Sequence, residues 1–399
     1  MAQRRREHPL ARAALVGRLN EWLDTAWSKG VLPPPSLDPE VLWRKAHAAV
    51  KGGSETGGRS QEDAEDFRLR LEMLCTALVS EARLNPLGET IAHGQIVRVL
   101  RQRLALGRLW EREPHLASTP LAPPILVIGQ MRAGTTRIHR LLAADPAHSS
   151  TRFCDSWNPV PGTPDLRRIG STLALLGARQ INPWMDTIHP FAAGRADEEL
   201  GWLASALNHC AYEVQWRLPS FTAFSEARDA APLYREFARI LRTDAARHGN
   251  AQRPRVMKVP QFAEDVPALL AQFPDARIVV ARRAPGEVVR SAISLVANQM
   301  TIQSDHACLD WIEGEWQRKI AMRDQRAEKG LADFPGAIAH VDFADLESDW
   351  EAAITGAYHS LGIELGAPAL TAMRREQRRA GKERHVRHAR DMQAFHMAR

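Results

Sequence analysis

Ile125-Leu126-Val127-Ile128-Gly129-Gln130-Met131-Arg132-Ala133-Gly134-Thr135-Thr136 is the stretch that decides the fold. Four consecutive apolar β-formers bounded by turn residues read as a buried strand. The glycine-flanked loop that follows leads into a helix over about Thr135 to Ala144, with Ile138, Leu141 and Leu142 on one face. In a strand–loop–helix unit of this kind the loop N–H groups and the positive end of the helix dipole converge on an anion, and glycines permit its close approach. Gly129 and Gly134 have the spacing of the nucleotide-binding GxxxxGK[ST] loop, but Thr135 stands where that loop carries its lysine. Hydrolases of nucleoside triphosphates use the lysine on the β- and γ-phosphates. A donor with a single phosphate beside its leaving group needs no such reach, and Arg132 supplies charge within the loop.

Outward from this unit, short apolar runs alternate with helices. Strands are expected near Arg255 to Val259, Ala276 to Ala281 and Ala337 to Val341, and helices over Ala263 to Gln272 and Gly286 to Ala297. Continuous apolar runs separated by helices are the mark of a parallel sheet covered on both faces. Upstream the texture is helical. Leu15, Leu19, Trp22 and Leu23 recur at helical spacing, as do Phe67, Leu71, Leu74 and Leu78, and then Ile96, Val97, Leu100 and Leu104. The turn-rich stretch Glu113 to Pro124 is the best boundary. The expected class is therefore α/β, a P-loop-type parallel sheet flanked by helices (residues 120–399) with a helical N-terminal extension (residues 1–119).

Two further segments carry chemistry. Arg282-Arg283-Ala284-Pro285-Gly286-Glu287-Val288-Val289-Arg290-Ser291 follows a strand directly and enters a helix, so the Arg283 guanidinium and the Ser291 hydroxyl can surround one anion. Lys258, in Val256-Met257-Lys258-Val259-Pro260, ends an apolar strand where a solvated role is hard to arrange, so it is expected to point into the site.

Together these segments resemble the bacterial PAPS-dependent sulfotransferase family, PAPS being 3′-phosphoadenosine-5′-phosphosulfate. Pro124 to Pro146 is similar to that family's phosphosulfate loop, G-x-P-R-[ST]-G-T-T-x-L-x-x-L-L, with Met131 in place of proline and Ala133 in place of serine. Arg283 to Ser291 keeps every fixed position of its 3′-phosphate motif, R-x-P-x-[DE]-V-x-x-S. The resemblance extends into the helical region through Glu81 to Gly88 and Arg101 to Leu109.

What it implies is transfer of a sulfuryl group from PAPS to a hydroxyl or amine of a small-molecule acceptor, with no metal. Arg132, Ala133, Gly134, Thr135 and Thr136 would hold the 5′-phosphosulfate, and Arg283 and Ser291 the 3′-phosphate. Lys258 would balance charge on the departing oxygen. The family's acidic segment before Asn-Pro falls on Asp155, as the proton acceptor, although aspartate is shorter than the usual glutamate. Its paired-glutamate segment falls on Glu198 and Glu199, and its His-Pro segment on His189, a reserve for the same role. Pro260 occupies the position of the histidine found in familiar cytosolic sulfotransferases. The basic run Arg378, Arg379, Lys382, Arg384 and Arg387 either forms a solvated face or, as the resemblance implies, closes over the 3′-phosphate. Trp202, Tyr212, Trp216 and Phe221 either line a substrate pocket or fill the core.

Bulk properties set the remaining limits. The chain has 399 residues, 44% hydrophobic and 25% charged, enough for a proper core. No apolar run reaches the roughly 20 residues of a membrane span. Four scattered cysteines fit neither a disulfide framework nor a zinc knuckle, so a reducing, cytoplasmic setting is expected. A net charge of +6, with seven lysines among 53 basic residues, favours arginine-based recognition of an anion. No zinc-finger or RRM signature points to nucleic acid. Two rival readings stand beside the first: a P-loop kinase or NTPase, which needs the missing lysine, and a non-catalytic nucleotide-binding protein of the same fold. Oligomeric state and acceptor identity are not legible.

Overall fold

The computed structural model describes residues 6–380. Five parallel strands, β1 (Ile125–Ile128), β2 (Ser149–Ser150), β3 (Arg255–Lys258), β4 (Arg277–Arg282) and β5 (Ile338–Asp342), form one sheet in the order β2-β3-β1-β4-β5. β1 lies at its centre, with Val127 in register with Lys258 on one side and Val279 on the other. Both faces are covered, which is why β1 and the middle of β4 read as unbroken apolar runs, whereas β5 at the edge alternates. Ile125, Val127, Val256, Val279 and Val341 face a layer containing α5 (Thr135–Ala143), α16 (Trp350–Ser360) and α17 (Ala367–Ala380). Leu126, Ile128, Met257 and Ile278 face the other way, onto α9 (Leu200–Ser205), α11 (Ala231–His248) and α12 (Val266–Gln272).

Four helices precede the sheet: α1 (Ala14–Ser28), α2 (Pro39–Ala49), α3 (Gln61–Ser80) and α4 (Pro86–Arg112). The last three start at side-chain caps, Asp38, Ser60 and Asn85, which accept the N–H groups of Val41, Asp63 and Gly88. Phe67, Leu71, Leu74, Leu78, Ile96, Leu100 and Leu104 are buried as their spacing predicts. Trp22 is not: α1 turns Val16, Leu23 and Ala26 inward and leaves Trp22 58% exposed. The inner faces of α2 to α4 share a core with Ala204, Leu207, Tyr212, Trp216 and Phe221. These helices are therefore clamped to the segment running through α9 and α10 (Pro219–Ala227). Ion pairs from Arg59, Asp63 and Asp66 to Glu236, Arg235 and Arg228 reinforce the joint.

The remaining helices are α6 (Phe153–Trp157), α7 (Arg167–Ile181), α8 (Met185–Ile188), α13 (Pro285–Gln303), α14 (Leu309–Leu331) and α15 (Phe343–Ser348). One expected helix, Ala263 to Gln272, is divided. A 3-10 turn spans Pro260–Ala263, and α12 begins only at Val266, where Pro267 in the first turn suits a start. Glu264, between the two, is drawn into a buried ionic cluster instead. There the Lys319 ammonium lies 3.1 Å from Glu264, 2.9 Å from Glu213 and 2.7 Å from Glu226, and Arg323 donates to Glu213 and Glu264. Burial opposes the Lys319 charge, but Glu213 and Glu264 outweigh it and raise the ammonium pKa. No helix among the described residues is long and apolar enough to cross a membrane.

Removing one partner of a buried cluster leaves the others uncompensated, at a cost of about 3–5 kcal/mol. Lys319→Met is accordingly expected to lower stability by about that amount in denaturant unfolding at neutral pH. Lys45→Met, on the surface, should change it by less than about 0.5 kcal/mol.

Candidate functional site

The loop between β1 and α5 is wound by three residues of positive φ: Gly129 at 154°, Arg132 at 70° and Gly134 at 85°. Its glycines answer first to neighbouring protein atoms. A Cβ on Gly129 would lie 2.8 Å from the Ala281 carbonyl oxygen, and one on Gly134 would lie 2.6 Å from the Phe343 ring. Close packing against β4 and against the residue after β5 therefore demands glycine at both positions. Gln130 fixes the far side of the loop, its amide donating to Ile320 O (2.9 Å) and Asp324 Oδ1 (2.7 Å) on α14.

Arg132 is a non-glycine residue in the left-handed region, a conformation costing on the order of 1–3 kcal/mol unless its surroundings impose it. Here they do. Its Nε donates to Ser291 Oγ (2.8 Å) and its Nη1 to the Ile188 carbonyl (2.6 Å), while its own carbonyl accepts from Arg283 Nη1 (2.8 Å). The loop after β1 and the segment after β4, about 150 residues apart in sequence, thus meet directly. Arg283 also lies over the Phe343 ring at 4.1 Å and pairs with Glu287 at 2.8 Å. Phe343, which nothing in the sequence singles out, is wedged between Arg283 and Gly134.

Burial, with Arg283 beside it, lowers the Arg132 pKa to about 10, so the guanidinium stays charged at neutral pH. Among the described residues no carboxylate lies within ion-pair distance of Arg132. Two adjacent guanidiniums, Arg132 buried and Arg283 partly exposed, with Glu287 paired to Arg283 and Glu198 acting on Arg132 only from beyond ion-pair distance, suit an anion.

Lys258, 1% exposed at the end of β3, enters the same region from the neighbouring strand. Its ammonium donates to Thr136 Oγ1 (3.1 Å), in the first turn of α5, and makes a short contact with Glu198 Oε1. Its backbone N–H donates to Glu199 Oε2 at 2.9 Å. Glu199 is fully buried, and burial, only partly offset by the Lys258 N–H, pushes its carboxyl up to about 8.

Beside this pair, His189 Nε2 lies 3.3 Å from Asp197 Oδ1, and Nδ1 lies 3.9 Å from Glu198 Oε1. Phe191 packs on the imidazole at 4.3 Å between ring centres. Burial works against an ionised Asp197, but His189 and then Arg140 outweigh it and hold the carboxyl at about 2. Arg140 in turn donates to the Pro190 carbonyl (2.9 Å), tying α5 to the loop that carries these groups. His189, Asp197 and Glu198 are close enough to share a cation, yet Lys258 already meets Glu198 and Arg140 faces Asp197 at 3.9 Å. His139, on the inner face of α5, is kept neutral by burial and by nearby Lys258, which bring its pKa down to about 3.

The sequence-predicted residues are therefore not all in one place. Arg132, Thr136, Ser291, Arg283, Lys258, Glu199 and His189 are linked through the contacts above, and Ala133 and Gly134 lie in the same loop. Asp155 is engaged elsewhere: Arg152 donates to both of its oxygens and Arg167 lies 3.1 Å away. Trp202, Tyr212, Trp216 and Phe221, at 0–1% exposure, fill the core. Arg384 lies outside the described residues, as do Lys382 and Arg387. Sequence reasoning passed over Asp197 and Arg140. The available signal for Asp197 was an acidic residue eight positions after a His-Pro pair, and it has no periodicity to betray it.

Residues 123–367 match the model of the Sulfotransferase family. The whole fold is similar to the crystal structure of sulfotransferase STF1 from Mycobacterium tuberculosis H37Rv, with a TM-score of 0.76 and 23% identity over 91% of this chain and 99% of that one. It is also similar to sulfotransferase STF9 from Mycobacterium avium, with a TM-score of 0.73 and 20% identity over 84% and 86%. No curated protein sequence matches the chain. The family match spans more than half of the length and takes in the loop after β1, Lys258 and the segment after β4, so the chain belongs to the sulfotransferase family and is an enzyme of that kind.

Proposed function

We propose that the sulfuryl donor is PAPS and that the acceptor is a hydroxyl or amine of a small molecule. The observation that carries this reading is the direct junction of the two anion-binding segments at Arg132, Arg283 and Ser291. A donor with phosphate on both the 3′ and the 5′ position of one ribose answers two cationic segments side by side, whereas a triphosphate calls for a lysine at position 135. Arg132 to Thr136 would hold the 5′-phosphosulfate, and Arg283 and Ser291 the 3′-phosphate, with Arg384 in reserve from the basic C-terminal run. When bound, PAPS supplies a sulfuryl group on a good leaving phosphate. The chain's own work is then positioning and charge stabilisation.

Lys258 is the group placed to meet negative charge on the departing side, with Thr136 orienting it. Glu198 also meets the ammonium. The acceptor's proton goes to His189: Asp197 accepts from Nε2–H and fixes the tautomer, which leaves Nδ1 as the base, and an Asp197 that stays ionised stabilises the imidazolium formed. Asp155, held by two guanidiniums, positions α6 and the start of α7. Four unpaired cysteines suit a reducing cytoplasm.

Lys258→Ala is expected to lower kcat by about 100- to 1000-fold. His189→Gln should lower it by about 100-fold or more, whereas Asp155→Asn should cost stability and leave turnover of the folded protein near the parent value. The reverse ordering would return the proton to Asp155. The donor assignment is tested by thermal shift with 3′,5′-ADP: stabilisation of the parent, lost in Arg283→Ala, supports it. No stabilisation, together with identical behaviour of the variant, overturns it. Incubating the protein with labelled PAPS and a metabolite extract then identifies the acceptor by what becomes labelled.

Glu199 gives a pH test. Its folded pKa of about 8 lies above the ordinary carboxyl value, so between those values the unfolded chain is ionised and the folded one is not. Stability falls as pH rises through that window. Glu199→Gln should flatten this decline, as measured by unfolding free energy against pH.

A further inference from the structure

α13 buries a polar stripe. Ser291, Ser294, Asn298 and Thr301 are 7%, 1%, 0% and 6% exposed. At 100° per residue the four fall within an arc of less than a quarter of the helix circumference. A helix ordinarily turns apolar residues toward its neighbours, and Val288, Ala292, Val296 and Met300 do so beside the stripe. Buried hydroxyls and amides must find partners, and those of this stripe come from three distant parts of the chain.

Ser291 Oγ accepts from Arg132 Nε. Asn298 Oδ1 accepts from the Asn182 amide, at the end of α7, at 2.7 Å. The other two are met by the segment before α1. Arg6, 2% exposed, donates through Nη2 to both the hydroxyl (2.9 Å) and the carbonyl (3.1 Å) of Ser294. Thr301 Oγ1 donates to the Leu10 carbonyl at 2.9 Å, and beyond the helix Arg12 pairs with Asp305. Residues 6–12 therefore run along α13 as a strap. The Leu10 side chain joins the apolar cluster that holds Met131 and Ala133 of the loop after β1 together with Val288 and Ala292 of α13. No motif in the sequence marks this segment.

We propose that Arg6 is a positioning residue for the sulfuryl donor: its grip on Ser294 sets the axial position and rotation of α13, and so where Ser291 meets the donor's 3′-phosphate. The inference rests on the reading that Ser291 holds that phosphate. Serines three residues apart on one helix are neighbours on one face and move as a body. A guanidinium that meets the carbonyl and the hydroxyl of Ser294 together does not tolerate a slide or turn of the helix that separates them, because hydrogen bonds weaken steeply with misalignment. Apolar packing in its place would be non-directional and would leave that freedom. Arg132, whose Nε donates to Ser291, is aligned through the same contact.

Isothermal titration calorimetry of the full chain, with 3′,5′-ADP and 5′-AMP as probes, tests the proposal. The parent is expected to bind 3′,5′-ADP more tightly than 5′-AMP. Arg6→Ala is expected to weaken 3′,5′-ADP by about 10-fold and to leave 5′-AMP within about 2-fold, since the loss falls on the 3′-phosphate. A variant that had merely loosened the fold would weaken both. Arg6→Lys, which keeps a donor for Ser294, should recover most of the loss. Ser294→Ala, a milder change that decides the matter if the Arg6→Ala chain does not fold, should reproduce the loss and add nothing further in the Arg6→Ala chain. If the parent does not distinguish the two nucleotides, the 3′-phosphate assignment falls and this proposal with it. If the parent distinguishes them and both variants do so equally well, or if both nucleotides are weakened alike, the proposal alone is overturned.

Discussion

Two guanidiniums, Arg132 and Arg283, are held side by side at the carboxyl edge of the sheet, and neither arrangement is cheap. Arg132 sits in a left-handed conformation, buried, with no carboxylate among the described residues within ion-pair distance and Glu198 acting on it only from farther off. The Arg283 guanidinium lies against the Arg132 carbonyl and the Phe343 ring. Like charges at this separation repel, and the protein's own groups meet them through a hydroxyl, carbonyls, an aromatic face and the half-exposed Glu287 carboxylate on Arg283. The compensation lies in how firmly the backbone is fixed. β1 pairs with β3 and β4 on its two sides, Gly129 and Gly134 are pressed against Ala281 and Phe343, and Gln130 is tied to α14. A loop so constrained presents its charge without rearrangement when an anion arrives, which is what electrostatic preorganisation requires.

The same constraint orders the acids and bases alongside. Asp197, Glu198 and Glu199 are consecutive, yet their surroundings assign them different states. Asp197 faces a histidine and an arginine and remains ionised; Glu198 reaches the Lys258 ammonium; Glu199 turns into the core, receives one backbone N–H and is held largely neutral. Neighbouring carboxyls separated in this way by environment are how one site runs acid and base chemistry together. The division depends on the chain leaving regular structure between α8 and α9, because successive residues of a helix or strand could not all face the same lysine and histidine.

What the sequence discloses follows from this geometry. The central strands were legible because a sheet buried on both faces must be apolar without interruption. The arginine-bearing segments after β1 and β4 were legible as structural units because each is local, a strand end joined to a helix start. Groups that meet only through the tertiary fold were not. Phe343 is an ordinary aromatic after β5 until Gly134 and Arg283 close on it, and His189 and Asp197 pair across a loop with no repeat. Asp155 matched a pattern, but Arg152 lies three residues before it and Arg167 twelve after, and only the fold shows both on its carboxylate. Trp22 fitted the helical period and still faces outward, since spacing defines a stripe and not which stripe the neighbouring helices will cover.

The supporting body is as polar inside as the site itself. Lys319 and Arg323 bring α14 to Glu213 and Glu264, and Gln130 of the loop after β1 reaches the same two turns of that helix, at Ile320 and Asp324. Apolar side chains of equal volume would fill that space at least as stably. A set of charges that is satisfied in only one arrangement does something an apolar core does not: it penalises any sliding of α14 along its axis. Because the loop that holds Arg132 is fastened to that helix, the register of α14 becomes a determinant of where the guanidinium stands. The ionic cluster beneath the site is in this sense part of its geometry, although none of its members faces the reacting groups.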